Sequence, residues 1–369
     1  MEEPSREEAD TTTINNNTQM IPQVLQVLQA LKQASHDIQH SSSSSSDDHS
    51  PAINALLQLH TTLSTDSPLS HHLHRLKTLL DSLHNAKGIR SFLTRPLSAH
   101  SISRVAASIE AELQAWIDRE TTQTLSRSLT NNHDLLLLLP LLTQLIDRVN
   151  QGFDREFQNL VLTMKLFSSL ESLLFDEKCQ QPVREHAGMA IAALIRFNKD
   201  VFVGQVLMGP TVRALVSMAS VDSLDVLCSL VKSIRSPFVD EIESNGEIPK
   251  IIALLGSDDL QLTVLAVEVV LEIGYFGRKE AIEAMMKEGV VEKLVELQRL
   301  EVEGGGGGMR HPFASCVAMF AVQLDVGEGL RQREKRALKP EILERVRKAS
   351  LSDAESATIV AEVLWGSSP

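Results

Sequence analysis

The residues that could do chemistry fall into a few groups. His71, His72 and His74 cluster in HHLHRL, the densest set of metal-ligand side chains in the chain. They lack the i, i+4 histidine pair with a nearby carboxylate used by zinc hydrolases, and no Cys-x-x-Cys occurs. The cluster therefore reads as surface histidines at a helix start. Cys179, Cys228 and Cys316 are far apart in sequence, which suits one loop thiol and two small packing residues. The run Gly304 to Gly308 has no following Lys-Ser/Thr to cradle a phosphate. GxSxG, Walker A and GxGxxG patterns are absent. No catalytic residue, cofactor or metal is expected, and the chain reads as a non-enzyme.

Two charged groups remain. Glu268 and Glu272 lie four apart in LAVEVVLEIGYF, a spacing that puts both carboxylates on one helix face. They could grip a basic segment of a ligand, or form a solvated acidic pair on an exposed face; both readings stand. RQREKRALKPEILERVRKAS, residues 331–350, holds eight Lys or Arg against three Glu. It is either a nuclear-localisation or acidic-partner patch, or the solvated face of a terminal helix. Ser50-Pro51 and Ser67-Pro68 offer proline-directed phosphorylation sites.

The elements that position these residues follow from composition. Of 369 residues 43% are hydrophobic but only 4% aromatic, which favours helix-on-helix packing over a sheet sandwich. A formal net charge of −13 argues against broad binding to nucleic acid or anionic membrane. Three cysteines, an odd and dispersed set, fit a reducing compartment better than a disulfide framework. MEEPSREEADTTT has no apolar signal region, and LLLLLPLLTQLI, at 135–146, is too short to span a bilayer. The expected location is the cytosol or the nucleus, and LLLLLPLLTQLI is expected to be a buried core helix.

Three regions are expected. Residues 1–51 form a largely disordered or partly helical leader closed by the serine-rich SSSSSSDDHSP. Residues 52–130 hold amphipathic segments of a helical bundle, the last capped by Ser101 or Ser103. Residues 134–369 repeat one phrase. Aligned on their apolar helices, Ala187, Leu227, Ala266, Ala314 and Ala357 match, separated by 40, 39, 48 and 43 residues. The long interval contains the five glycines, read as a flexible loop inside one unit. A phrase recurring every forty residues marks a helical unit that cannot bury its apolar face alone and must stack on its neighbours.

The unit GEIPKIIALLGSDDLQLTVLAVEVVLEIGYFGRKEAIEAMMKEG, from Gly246 to Gly289, resembles the armadillo repeat. Gly246, Ile248, Pro249, Leu254 and Leu255 match the second helix of that family, and Ala266 to Ile273 the third. HEAT repeats are its near neighbour, but the glycine-started triplet favours armadillo. The resemblance implies an all-α chain: an armadillo-type right-handed α-solenoid of about five units behind the amino-terminal helical bundle, with the third helices lining a groove that binds protein partners. The repeats are also similar to those of plant U-box ubiquitin ligases, whose Cys-Pro and Asp-Pro-Val elements are absent before residue 150. An adaptor or scaffold is the implied function, with a substrate-selecting component of a ubiquitin-ligase pathway as the alternative.

Armadillo importins read basic peptides with Trp and Asn on the third helix. The matching positions here are Met189, Ser229, Glu268 and Cys316 for Trp, and Ala193, Ser233, Glu272 and Phe320 for Asn. No Trp–Asn pair is present, so an import receptor is not implied. These eight residues are the expected partner-binding groove.

Overall fold

The computed structural model describes residues 30, 32–33, 74–75, 77–78, 89–131, 135–303 and 312–365. The serine-rich stretch, His71, His72, both Ser-Pro sites and the glycine run Gly304 to Gly308 lie outside the described residues. His74 is an exposed helical residue. Every regular element among the described residues is a helix, and they fall into two compact units: residues 1–127 with 155–164, and residues 128–154 with 165–369.

The first unit is dominated by α1, Ile89–Asn131. Ala106, Ile109 and Leu113 are fully buried, three or four residues apart, the spacing that lines one helix face. Lys32 Nζ donates to Gln114 Oε1 at 2.6 Å, which sets the helical residues around 32 beside α1. Ser101 and Ser103 do not start a helix as expected. Both lie inside α1, which begins twelve residues before Ser101. A serine caps only where the chain ahead of it leaves helical geometry, and here the chain ahead is already helical. The short helix α3, Arg155–Thr163, also belongs to this unit.

In the second unit, α2 (Leu135–Asn150) carries the leucine run. Leu138, Leu141, Leu142, Leu145 and Val149 are buried, and α2 packs on the helix Gln181–Phe197, as expected of a core helix. The helices then come in stacked groups. They are α4 and α5 (Leu166–Phe175, Gln181–Phe197), α6 to α8 (Lys199–Met208, Thr211–Met218, Val221–Ile234), and α9 to α11 (Ser236–Ser244, Ile248–Leu254, Leu260–Phe276). After them come α12 to α14 (Lys279–Lys287, Val290–Glu303, Cys316–Val326), then α15 and α16 (Gln332–Ala349, Asp353–Trp365). The last helix of each group packs on the last helix of the next: α5 on α8, α8 on α11, α11 on α14, α14 on α16. This is the all-α, armadillo-type stacking that the forty-residue period requires.

Local chemistry explains the punctuation. Gly246 and Gly289 close α9 and α12 with φ of 69° and 76°, the left-handed region that favours glycine. Gly246 N–H donates to Glu243 O and Glu247 N–H to Ile242 O, a Schellman closure that satisfies carbonyls at the helix end. Leu255, at the C-cap of α10, and Leu294 in α13 are 1% and 0% exposed. At the start of α8, Ser220 Oγ accepts from Ser223 N–H, and Ser223 Oγ accepts from Ser220 N–H. Asp259 Oδ1 caps α11 by accepting from Gln261 N–H at 2.9 Å. In α15 no glycine breaks the chain; Pro340 lies inside one continuous helix.

Candidate partner-binding face

The stacked helices α5, α8, α11 and α14 carry all eight groove candidates. Met189 on α5, Ser229 and Ser233 on α8, and Glu268 and Glu272 on α11 are partly exposed. Ala193, Cys316 and Phe320 are not; each is fully buried. They are core residues and cannot touch a ligand lying on the surface, which corrects the expectation at those three positions.

The causes differ. Helix α5 packs against α2, α4 and α8 together. It buries six consecutive residues, Ala190 to Ile195, the mark of a helix enclosed on all sides. On α14 the error is one of register. The buried set Ala266, Val267, Val270 and Gly274 of α11 recurs as Cys316, Val317, Phe320 and Leu324, a shift of fifty residues rather than the forty-eight read from sequence. At roughly 100° per residue, a two-residue slip turns a helix face by roughly 200°. In the corrected register Glu268 and Glu272 correspond to Ala318 and Val322, which are 3% and 47% exposed. With Met319 and Val326, Val322 gives α14 an exposed apolar stripe at i, i+3 and i+7.

Polar links cross the seams between these helices. Arg196 Nη1 on α5 donates to Ser229 Oγ on α8 at 2.8 Å. Lys232 Nζ on α8 donates to Glu268 Oε1 on α11 at 2.5 Å and lies 3.7 Å from Glu272 Oε1. The two carboxylates are therefore not a free acidic pair: one internal ammonium sits between them, and the trio carries a net charge of −1 when all are ionised. Burial alone would pull the Lys232 ammonium down, but its bond to Glu268 and the neighbouring charges hold it above the ordinary lysine range. Burial raises the Glu272 carboxyl; Lys232 opposes that, and Glu268 adds to it. Lys232 was missed in the sequence although a signal exists: it precedes Glu268 and Glu272 by 36 and 40 residues, about one repeat period.

The thiols on and near this face are buried. Cys228, next to Lys232, is 2% exposed, and burial pushes its thiol up to about 12. It is protonated at neutral pH and is no nucleophile. Cys316 behaves alike, pushed up to about 12 by burial, and donates to Leu294 O. Cys179 is a buried thiol in a bend before α5. Among the described residues no cluster of three or more His, Cys, Asp or Glu could hold a metal ion. Among the same residues no single helix is long and apolar enough to cross a membrane.

No protein-family model matches the chain, and no curated protein matches it significantly. Among solved structures, the chain is similar to the designed armadillo repeat protein YIII(Dq)4CqI at 16% identity and a TM-score of 0.46, over 66% of this chain and 99% of that one. It is similar to the designed armadillo repeat protein YIII(Dq.V1)4CPAF, solved in complex with peptide (KR)4, at 18% identity and a TM-score of 0.47, over 67% and 98%. A third, an engineered protein, is 16% identical with a TM-score of 0.48, over 91% of this chain and 77% of that one.

Proposed function

We propose that this chain is a non-enzymatic scaffold whose partner segment lies across α8, α11 and α14, with a basic residue of that segment meeting Glu268 and Glu272. The observation that supports this is the placement of partly exposed positions one period apart on packed helices: Met189, Ser229 and Glu268, and then Ser233 and Glu272. An extended segment crossing such a stack meets a comparable position on every helix. The residual charge of −1 around Lys232 attracts a cation, and the stripe Met319, Val322 and Val326 supplies apolar contact beside it.

The internal lysine makes the reading testable. A partner's basic residue must share the carboxylates with Lys232. K232Q should therefore tighten binding of a labelled Lys/Arg-rich peptide, and E268Q/E272Q should weaken it, both by fluorescence anisotropy at low salt. Equal binding by all three proteins would place the site elsewhere. The alternative, a substrate-selecting role in a ubiquitin-ligase pathway, is supported by the sequence resemblance alone. Autoubiquitination by the chain itself with purified conjugating enzymes would contradict it. Residence in the cytosol or nucleus, supported by three unpaired thiols, is checked by imaging a tagged chain.

A further inference from the structure

Helix α15 concentrates positive charge in a way that the groove reading does not use. Of its cations, Lys335 is committed: Nζ donates to Asp325 O at 2.7 Å and to Gly327 O at 2.8 Å, closing the end of α14. Arg345 pairs with Glu292 and Glu341, and Lys348 with Glu344. Arg333, Arg336, Lys339 and Arg347 are exposed, and no hydrogen bond or ion pair among the described residues engages them.

Their spacing matters. At about 100° per residue these four side chains fall within one third of the helix circumference. Only Gln332, Pro340 and Leu343 share that sector. Every acidic residue of α15 lies outside it: Glu334 and Glu341 on the far side, and Glu344 at its edge, bound to Lys348. The fourteen steps from Arg333 to Arg347 advance about 21 Å along the axis. The result is a one-sided basic stripe on a chain whose net charge is −13.

We propose that this face of α15 binds an acidic segment of a partner protein. Three of the four cations are arginines, whose planar fork takes carboxylates in pairs. The sector holds no aromatic residue on which bases could stack and no exposed bulky apolar side chain to enter a bilayer. The length of the stripe matches an extended peptide of about six residues, at roughly 3.3 Å each, rather than a long polyanion. This site is independent of the α8–α11 groove.

The test uses the full chain and a fluorescently labelled Asp/Glu-rich decapeptide. Anisotropy titration at low salt should show binding that weakens steeply with added salt. R333Q/R336Q/K339Q/R347Q should lose about tenfold or more in affinity, while R333K/R336K/R347K retains part of it. Circular dichroism should report the same helix content and melting for both variants, since all four positions are exposed. E268Q/E272Q should leave decapeptide binding unchanged. Unaltered binding by the quadruple Gln variant would overturn the proposal. So would tighter binding of phosphatidylserine vesicles or duplex DNA than of the decapeptide.

Discussion

Lys232 Nζ lies 2.5 Å from Glu268 Oε1, across the seam between α8 and α11. Both side chains are nearly half exposed, so the bond is solvent-screened and belongs with surface pairs of ~0–1 kcal/mol. E268Q should lower stability slightly, because Lys232 loses its nearest partner. E272Q should not. The Glu272 carboxyl is raised above its ordinary range, first by burial, so its charged form is the disfavoured one in the folded state. Its penalty is present at neutral pH and vanishes as pH falls through the folded pKa. At pH 7 the amide should leave the melting temperature unchanged or slightly higher, and the two variants compared by thermal denaturation should separate in that order.

Phe320 and Val322 test the register of α14. Phe320 is fully buried and Val322 is 47% exposed. F320A should cost ~3–5 kcal/mol, the range for an aromatic cavity in a core. V322D should stay within ~0.5 kcal/mol, as surface changes do. Chemical denaturation that ranked them the other way would return α14 to the forty-eight-residue alignment.

The glycines separate by backbone geometry. Gly246 sits at φ 69°, where a Cβ costs ~1–2 kcal/mol, so G246A should destabilise by that amount. Gly204 lies inside α6, with no left-handed φ and nothing within 4 Å of the point a Cβ would occupy. G204A should stabilise by ~0.5–1 kcal/mol. Opposite signs in urea melts are the expected result.

The second helices carry the core. Leu255 and Leu294 are 1% and 0% exposed, so L255D or L294D would put a carboxylate in a buried apolar position. Each should cost several kcal/mol, a large part of a typical domain's stability. Wild-type melting by both variants would mean that these faces meet water.

Arg299 joins α13 to the last two helices. Its Nε lies 2.7 Å from Glu355 Oε1, and its Nη2 donates to Ala349 O. Burial alone would raise the Glu355 carboxyl, but Arg299 and the backbone donors of Leu351 and Ser352 hold it below its ordinary range. A depressed carboxyl stabilises the fold above its unfolded pKa of about 4.3. That contribution is lost as pH falls through the lower, folded value. R299Q should therefore be less stable than wild type at pH 7, and the gap should narrow below about pH 4. A pH series of thermal melts measures it.

Local and periodic features of this fold were legible along the chain. Glycine before an aliphatic pair marked where the repeat's second helix begins at Gly246, and the structure puts Gly246 and Gly289 at positive φ, which only a residue without Cβ enters freely. The recurrence near forty residues named the stack, because a helix with one apolar face must find a neighbour. Leu255, Leu294 and the leucines of α2 were readable as core for the same reason. Which face of α14 is buried emerged only from three-dimensional packing: an insertion of unequal length breaks the period, and two residues turn a helix through more than half a circle. Packing likewise encloses Ala193, because three helices meet α5, and gives Glu268 and Glu272 a shared ammonium from the preceding unit. Those outcomes depend on side chains brought together from distant parts of the chain, and the pattern along any single helix does not contain them.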